Sequence, residues 1–328
     1  PFEQALAGGI QKLMTASVAR TKTVARKKAR SSKIKANKPE LGRYEVHEII
    51  GKGAGSKIFR ATDSRDGKEV AIKHVTEETI HERLADIGEY KPHRNNKPID
   101  YASFFDQLKL EHEVLTGLSK TPVKKYVPEG YALKTVRKYG FLTVGYDLIM
   151  EYVPGPTLRE KRDYSIKDIA NFYYQTARIL YGLHGIGWLH CDLKPQHIVI
   201  TPEKRIKLLD FGQCRKPWDG AHRMQGTPDY MAPEQLKGCE VDERTDIYSL
   251  GASMYWILTG ESNRPAMGGA SVGSGFHVGY GERARSIREE NPEVPEPLER
   301  VILDSCEPKA INRPASMREV IERLERLR

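Results

Sequence analysis

Two hydrophobic periods meet at Pro154-Gly155-Pro156, and this change limits what the chain can fold into more than any single residue does. Ahead of it, from Tyr44, apolar residues come in short β-branched runs: Tyr44 to Ile50, Lys57 to Thr62, Glu69 to Val75, Leu133 to Lys138 and Tyr146 to Tyr152. Gly-rich or polar turns separate them, which predicts a small antiparallel sheet. One helix interrupts the sheet, from Phe104 to Leu118, where Phe104, Leu108, Glu111, Leu115 and Leu118 recur at steps of three and four. Behind the Pro-Gly-Pro turn the period becomes helical, most clearly over Ile166 to Leu183 and Tyr248 to Leu258. The expectation is an α+β body in two lobes, a small antiparallel-sheet lobe with one helix, hinged to a larger and mainly helical lobe. Thr76 to Ser103 and the Gly-rich Asn263 to Gly281 read as loops or insertions. The expected segments are an extension over 1–42, the first lobe with its hinge over 43–153 and the second lobe over 154–328.

With 328 residues, 39% of them hydrophobic, the chain can bury a real core, which excludes a disordered or fibrous protein. No apolar run approaches the roughly 18 to 20 residues of a membrane span. Cys191, Cys214, Cys239 and Cys306 lie far apart, suggesting neither a zinc site nor a disulfide framework. A soluble, cytoplasmic protein with reduced thiols is expected. The formal charge of +9 invites a polyanion-binding reading, but residues 1–38 hold ten Lys and Arg against the single acid Glu3. The excess therefore resides in the extension, and the rest of the chain is neutral. A weak amphipathic helix carrying Leu6, Ile10, Leu13 and Met14 would lead into a basic arm. That arm is either a solvated tail, a salt-sensitive contact for nucleic acid or acidic lipid, or a segment docked on the body.

Several motifs carry chemistry. Gly51, Gly53 and Gly55 lie between two strand signals, where glycines let backbone N–H groups approach phosphate oxygens. Val70-Ala71-Ile72-Lys73 puts a lysine on the third strand, and Glu111 lies on the helix after it. An ammonium that holds phosphates in a cleft needs a carboxylate to orient it, and these two form such a pair. The second lobe carries His190-Cys191-Asp192-Leu193-Lys194-Pro195-Gln196-His197, then Asp210-Phe211-Gly212, then Gly226-Thr227-Pro228 running on to Ala232-Pro233-Glu234. In order and spacing these motifs resemble the eukaryotic-type (Hanks-type) protein kinase family, Ser/Thr branch, from about Tyr44 to Arg328.

The resemblance implies a bilobal protein kinase fold and ATP-dependent phosphoryl transfer to Ser or Thr hydroxyls of protein substrates. It implies that Lys73, held by Glu111, binds the α- and β-phosphates and that Asp210 holds Mg2+. Asp192 would accept the hydroxyl proton and Lys194 would neutralise charge on the γ-phosphoryl group. Met150 matches the gatekeeper, the backbone of Glu151 and Val153 would bond adenine, and Ile58 and Ala71 would sandwich the ring. Asp246 resembles the brace of the catalytic loop, and Glu234 with Arg313 the family's internal ion pair.

Three positions depart from the family pattern. Ser56 replaces the last glycine of the phosphate loop, with Gly55 beside it to absorb the bend. Cys191 stands where an arginine usually captures an activation-loop phosphate, and Gln213 to Gln225 contains no Ser, Thr or Tyr. Control by phosphorylation of that segment is therefore not expected, and Cys191 reads as a neutral buried thiol. His197 replaces the asparagine that binds a second metal, and imidazole suits Mn2+ better than Mg2+. Two readings stand: an active Ser/Thr kinase, or a pseudokinase acting as a nucleotide-binding or scaffold module. His74, His81, His93 and His112 read as surface or packing residues, and Trp188 and Trp218 as packing groups.

Overall fold

The computed structural model describes residues 41–53, 55–86, 99–219, 226–263 and 284–328. Within the first lobe, strands β1 (Tyr44–Lys52), β2 (Ser56–Asp63) and β3 (Glu69–Thr76) are followed by helices α1 (Glu77–Asp86) and α2 (Tyr101–Leu118). Strands β4 (Gly130–Lys138) and β5 (Leu142–Glu151) complete a five-stranded sheet of order β1-β2-β3-β5-β4, every pair antiparallel. Alternation along the strands gives its two faces different cores. Ala71, Val75, Leu148 and Met150 enter the main core with Ile58 packed at its edge, whereas Val70, Ile72, Phe59, Ala61 and Ile149 form a smaller cluster. Ile58 stands opposite Lys73, and Lys73 opposite Leu148. The lysine therefore shares the main-core face with Ile58, Ala71 and Met150.

The second lobe holds α3 (Ile166–Gly185), the short ribbon β6 (Ile198–Ile200) and β7 (Ile206–Leu208), α4 (Pro233–Leu236), α5 (Glu243–Thr259), α6 (Ile287–Glu290), α7 (Glu296–Ser305) and α8 (Met317–Glu325). Ser165 caps α3 by accepting from the Asp168 N–H at 3.1 Å. Helix α5 is buried on nearly every side from Thr245 to Leu258, as a central helix must be. At Gly251 it presses against α7 so closely that a Cβ would stand 2.7 Å from the Ser305 Cβ. The main core is continuous from Ala71 in the sheet to Leu324 in α8.

Three expectations change. Thr76 to Ser103 is not all loop, because Glu77–Asp86 is helical and α2 begins at Tyr101. The N–H of Thr79 reaches Thr76 Oγ1 at 3.3 Å and that of Thr76 reaches Thr79 Oγ1 at 2.9 Å, a reciprocal cap. Ile80, fully buried, anchors the turn that follows. Trp218 does not pack, being 67% exposed, whereas Trp188 is half-buried with the Lys216 ammonium 3.5 Å from its ring centre. Helix α5 starts at Glu243, with Asp242 accepting from the Arg244 N–H at 2.8 Å, ahead of the expected Tyr248. Charged residues in its first turns, Asp246 among them, hide that start from a hydrophobic-period reading. The expected helix and basic arm of the extension, up to residue 40, lie outside the described residues, as do His93 and the Gly-rich stretch from residue 264.

The second lobe is closed by a buried fork. Arg313, its side chain fully buried, donates to both oxygens of Glu234, Nη1 to Oε1 at 2.7 Å and Nη2 to Oε2 at 2.9 Å. It also reaches the carbonyls of Arg244, Glu307 and Pro308. Burial opposes ionisation of Glu234, but Arg313 outweighs it and holds the carboxyl below its ordinary value. Arg313→Ala leaves a buried carboxylate unpaired and should cost about 3–5 kcal/mol. Arg313→Lys, which cannot make the fork, should recover only part of that. Chemical denaturation checks both, and an unchanged midpoint for the alanine variant would show the fork to be idle.

Candidate active site

Lys73 ties the lobes together. Its ammonium lies 2.6 Å from Glu111 Oε2 on α2 and 2.8 Å from Asp210 Oδ1, which follows β7. Burial works against the charge on Lys73, but the two carboxylates hold its pKa above the ordinary lysine value. Burial pushes Glu111 up despite Lys73, whereas Asp210 is held well below the usual carboxylate range by the lysine, against its own burial. Two carboxylates share one ammonium, so the cluster has negative charge to spare on Asp210, the more open partner at 37% side-chain exposure. Asp210 sits in the left-handed region at φ +65°, uncommon for a residue other than glycine though tolerated by aspartate better than by most.

Below it, Asp246 of α5 is fully buried and organises the segment bearing the second carboxylate. Its oxygens accept from the backbone N–H of His190 at 2.8 Å and of Cys191 at 2.9 Å, and from His184 Nε2 at 2.8 Å. Cys191 is itself left-handed at φ +61°, and Gln235 Nε2 holds its carbonyl at 2.8 Å. Its thiol is buried, and burial raises its pKa well above the ordinary value, so it is a neutral group. The next residue, Asp192, accepts from Thr227 Oγ1 at 2.8 Å on one oxygen and from Lys194 Nζ at 3.0 Å on the other. Lys194 also reaches Thr227 Oγ1 at 2.8 Å, closing a three-membered network.

His197 Nε2 lies 3.4 Å from Asp210 Oδ2 and 4.0 Å from Asp192 Oδ2. Burial, and then the Lys194 ammonium, push its imidazole down to about 4, so it is neutral at pH 7. Its Nδ1 is buried without a hydrogen-bond partner. An imidazole nitrogen 3.4 Å from a carboxylate oxygen matches two adjacent ligands of one divalent ion, which stand roughly 3 Å apart. Among the described residues no group of three or more His, Cys, Asp or Glu is arranged to hold a metal ion, so His197 and Asp210 would supply one nitrogen and one oxygen to a cation whose other ligands come from elsewhere.

The residues expected around a nucleotide also converge. Ile58, Ala71 and Met150 share the sheet face that carries Lys73. The Glu151 N–H is taken by the Glu129 carbonyl at 2.8 Å, and its carboxylate by Lys207 at 2.7 Å, at the strand end leading to Val153. Left-handed geometry in the glycine turn falls on Gly55, at φ +75°, and not on Ser56. A Cβ at Gly55 would stand 2.9 Å from Ile80 Cγ1, so glycine is required twice over there. Thr79 Oγ1 donates to the Gly55 carbonyl at 2.7 Å, fastening the turn to α1. Gly51 and Gly53 precede it on the same hairpin, the Gly53 N–H donating to the Ser56 carbonyl at 3.0 Å.

Sequence reasoning missed three participants. Thr227 was read only as part of a loop motif, although its hydroxyl links Asp192 and Lys194. His184 is a helix-face histidine with no distinctive spacing to the carboxylate it meets, Asp246. Lys207 reaches Glu151 across 56 positions, a pairing no local pattern encodes. His74 was expected to be a surface or packing residue, yet its Nδ1 lies 2.5 Å from the mostly buried Asp147.

Comparison with known proteins decides the family. The protein kinase domain matches residues 132–322. A serine/threonine-protein kinase PknB of Corynebacterium glutamicum, described as probable, is 32% identical over 232 residues, covering 67% of this chain and 32% of the relative. The chain belongs to the protein kinase family. A probable serine/threonine-protein kinase of Streptomyces coelicolor is similar at 29% over 273 residues, 80% of this chain and 36% of the relative. One from Clostridium perfringens is similar at 28% over 296 residues, 87% and 38%. The kinase-family chain thus spans about a third of the length of these curated relatives. Among the described residues no helix is long and apolar enough to cross a membrane.

The brace under the segment that carries Asp192 makes stability depend on pH. Burial disfavours the charged form of His184, but Asp246 and Glu243 outweigh it and raise its pKa to about 9 from the model-peptide 6.5. A folded-state value above the unfolded one contributes stability that is complete below pH 6.5 and lost as pH rises through about 9. The shift corresponds to roughly 3 kcal/mol. Urea denaturation across that window should show stability falling with pH, and His184→Gln should flatten the fall. An identical slope in the variant would remove His184 from the account.

Proposed function

We propose that the kinase-family chain is the catalytic domain of a Ser/Thr protein kinase, transferring the γ-phosphoryl group of ATP to Ser or Thr hydroxyls of protein substrates. The observation that carries this reading is the pair of differently held carboxylates, Asp210 on Lys73 and Asp192 on Thr227 and Lys194. Ile58, Ala71 and Met150 supply the apolar slot for adenine, and the Glu151 carbonyl and the Val153 backbone its hydrogen-bond edge. In the turn Gly51 to Ser56, where the Gly53 N–H is spent on the Ser56 carbonyl, Gly51, Gly55 and Ser56 offer their backbone N–H groups to the phosphates, and Lys73, oriented by Glu111, reaches the α- and β-phosphates. Asp192 holds the acceptor hydroxyl and takes its proton, while Lys194 offsets charge on the transferred group. Asp210 and His197 would hold the divalent ion, which when bound neutralises phosphate charge. With an imidazole in the donor set, Mn2+ should serve better than Mg2+.

Activity is independent of phosphorylation between Gly212 and Gly226 in this reading. Arg215, buried there, directs its guanidinium to the Asp219 carbonyl. Thr227 is committed to Asp192 and Lys194, and Tyr230 is 4% exposed. Phosphosite mapping after incubation with ATP should find neither Thr227 nor Tyr230 modified in a form of raised activity; such a form would defeat the claim.

A pseudokinase is the competing reading, favoured only by His197. Radiolabelled ATP with a mixed Ser/Thr peptide library, in Mg2+ and in Mn2+ separately, distinguishes the two. Asp192→Asn should lower incorporation by about 10^2- to 10^4-fold while ATP still raises the melting temperature. His197→Asn should move the metal preference toward Mg2+ and abolish the nitrogen hyperfine coupling on bound Mn2+. Equal incorporation in the wild type and Asp192→Asn would reject the enzyme reading.

A further inference from the structure

Two arginines reach the same tryptophan in the second lobe. The chain leaves the Pro154-Gly155-Pro156 turn through Leu158, fully buried and anchored by its N–H to the Ile198 carbonyl at 2.9 Å. Arg159 and Arg162 then extend from the exposed segment behind it, their guanidinium carbons 4.2 and 4.5 Å from the centre of the Trp256 ring. Trp256 lies half-buried in the last turn of α5. Arg162 Nη2 also approaches the carbonyls of Trp256 at 3.5 Å and Ile257 at 3.4 Å, at the negative end of that helix.

The platform is connected to the proton acceptor. The positive charges of Arg159 and Arg162 act on the Tyr230 hydroxyl against the burial that raises its pKa, the Tyr230 N–H donates to the Thr227 carbonyl at 2.9 Å, and the Thr227 hydroxyl donates to Asp192. Three residues of chain plus one arginine side chain span a distance that an extended peptide covers in about three or four residues. The neighbouring acids do not neutralise the arginines. Glu160 turns its carboxylate to the Thr157 N–H at 2.9 Å and hydroxyl at 3.0 Å, and Asp163 lies 3.9 Å from Lys161. Among the described residues neither Arg159 nor Arg162 has a carboxylate partner. A guanidinium over an indole can still donate its remaining N–H groups to a planar anion, those of Arg162 other than the Nη2 hydrogens on the α5 carbonyls, and the ring excludes water from one face.

We propose that Arg159, Arg162 and Trp256 form a specificity platform that selects substrates with an anionic side chain, carboxylate or phosphoryl, within about four residues of the acceptor Ser or Thr. The proposal rests on the kinase reading and adds the substrate class to it. A purely structural staple would use the same contacts to hold the segment after the hinge against α5, without affecting peptide choice.

The test uses the full chain and peptides with one acceptor Ser, carrying Asp, phosphoserine, Ala or Lys at each of the four positions on either side. Steady-state KM and kcat are measured, together with binding of fluorescein-labelled peptides by anisotropy. The wild type should favour Asp or phosphoserine over Ala, and Ala over Lys, at one or two positions, the better anion identifying the natural group. Arg159→Glu should raise KM for the favoured peptide about tenfold, admit the Lys peptide, and leave KM for ATP unchanged. Arg162→Gln keeps donors for the α5 carbonyls and should act in the same direction, with thermal melts confirming that both variants fold. Equal KM for all peptides in the wild type would overturn the proposal. So would a rise in KM with Arg159→Glu that is the same for acidic, neutral and basic peptides. If the wild type binds the anionic peptide, Arg159→Glu does not, and no peptide is phosphorylated, the platform stands and the kinase reading falls.

Discussion

One ammonium group, that of Lys73, is the contact on which the arrangement of the two lobes around the site depends. It joins β3, α2 and the segment after β7, elements 38 and 137 positions apart in sequence. Removing an ammonium from water costs several kcal/mol, and the attraction of Glu111 and Asp210 at 2.6 and 2.8 Å offsets it. The strand register does the rest. Because Ile58 and Leu148 stand opposite Lys73, the cation rises from the same face as the apolar slot, and a molecule with a flat ring and phosphates can use both.

The second lobe repeats the device with backbone in place of a ligand. Asp246, fully buried, satisfies two N–H groups of the segment that ends in Asp192, and Arg313 closes the lobe through Glu234. These contacts sustain a local cost. Left-handed residues other than glycine at Cys191 and Asp210 store about 1–3 kcal/mol each. Such conformations persist only where surrounding hydrogen bonds over-determine them, and they fall on Asp210 itself and on the residue before Asp192.

Most elements were legible because they obey a single period. The five strands are short β-branched runs bounded by turns, α2 and α3 repeat at three and four, and the site motifs sit at the element ends where such motifs function. Helix α1 was missed because its only fully buried apolar side chain is Ile80, too little for a period, although Thr76-Glu77-Glu78-Thr79 carries the cap and the acidic first turn. Trp218 is exposed against expectation because size predicts burial only on average. Thr227, His184 and Lys207 left no local signal, since each acts through a partner that is distant in sequence.

What the amino-acid sequence determined by itself was the alternation that makes the sheet two-faced, the turn at Pro154-Gly155-Pro156 that ends it, and the residue types at each motif. Backbone sterics and side-chain polarity act over a few residues and can be read there. Only the tertiary structure decided which charges meet: Lys73 between two carboxylates, Asp192 between Thr227 and Lys194, His197 facing Asp210, and two arginines on one indole. Those pairings are set by packing between elements, and burial then fixes their protonation, because a desolvated charge persists only where a partner from another part of the chain lies within hydrogen-bond reach.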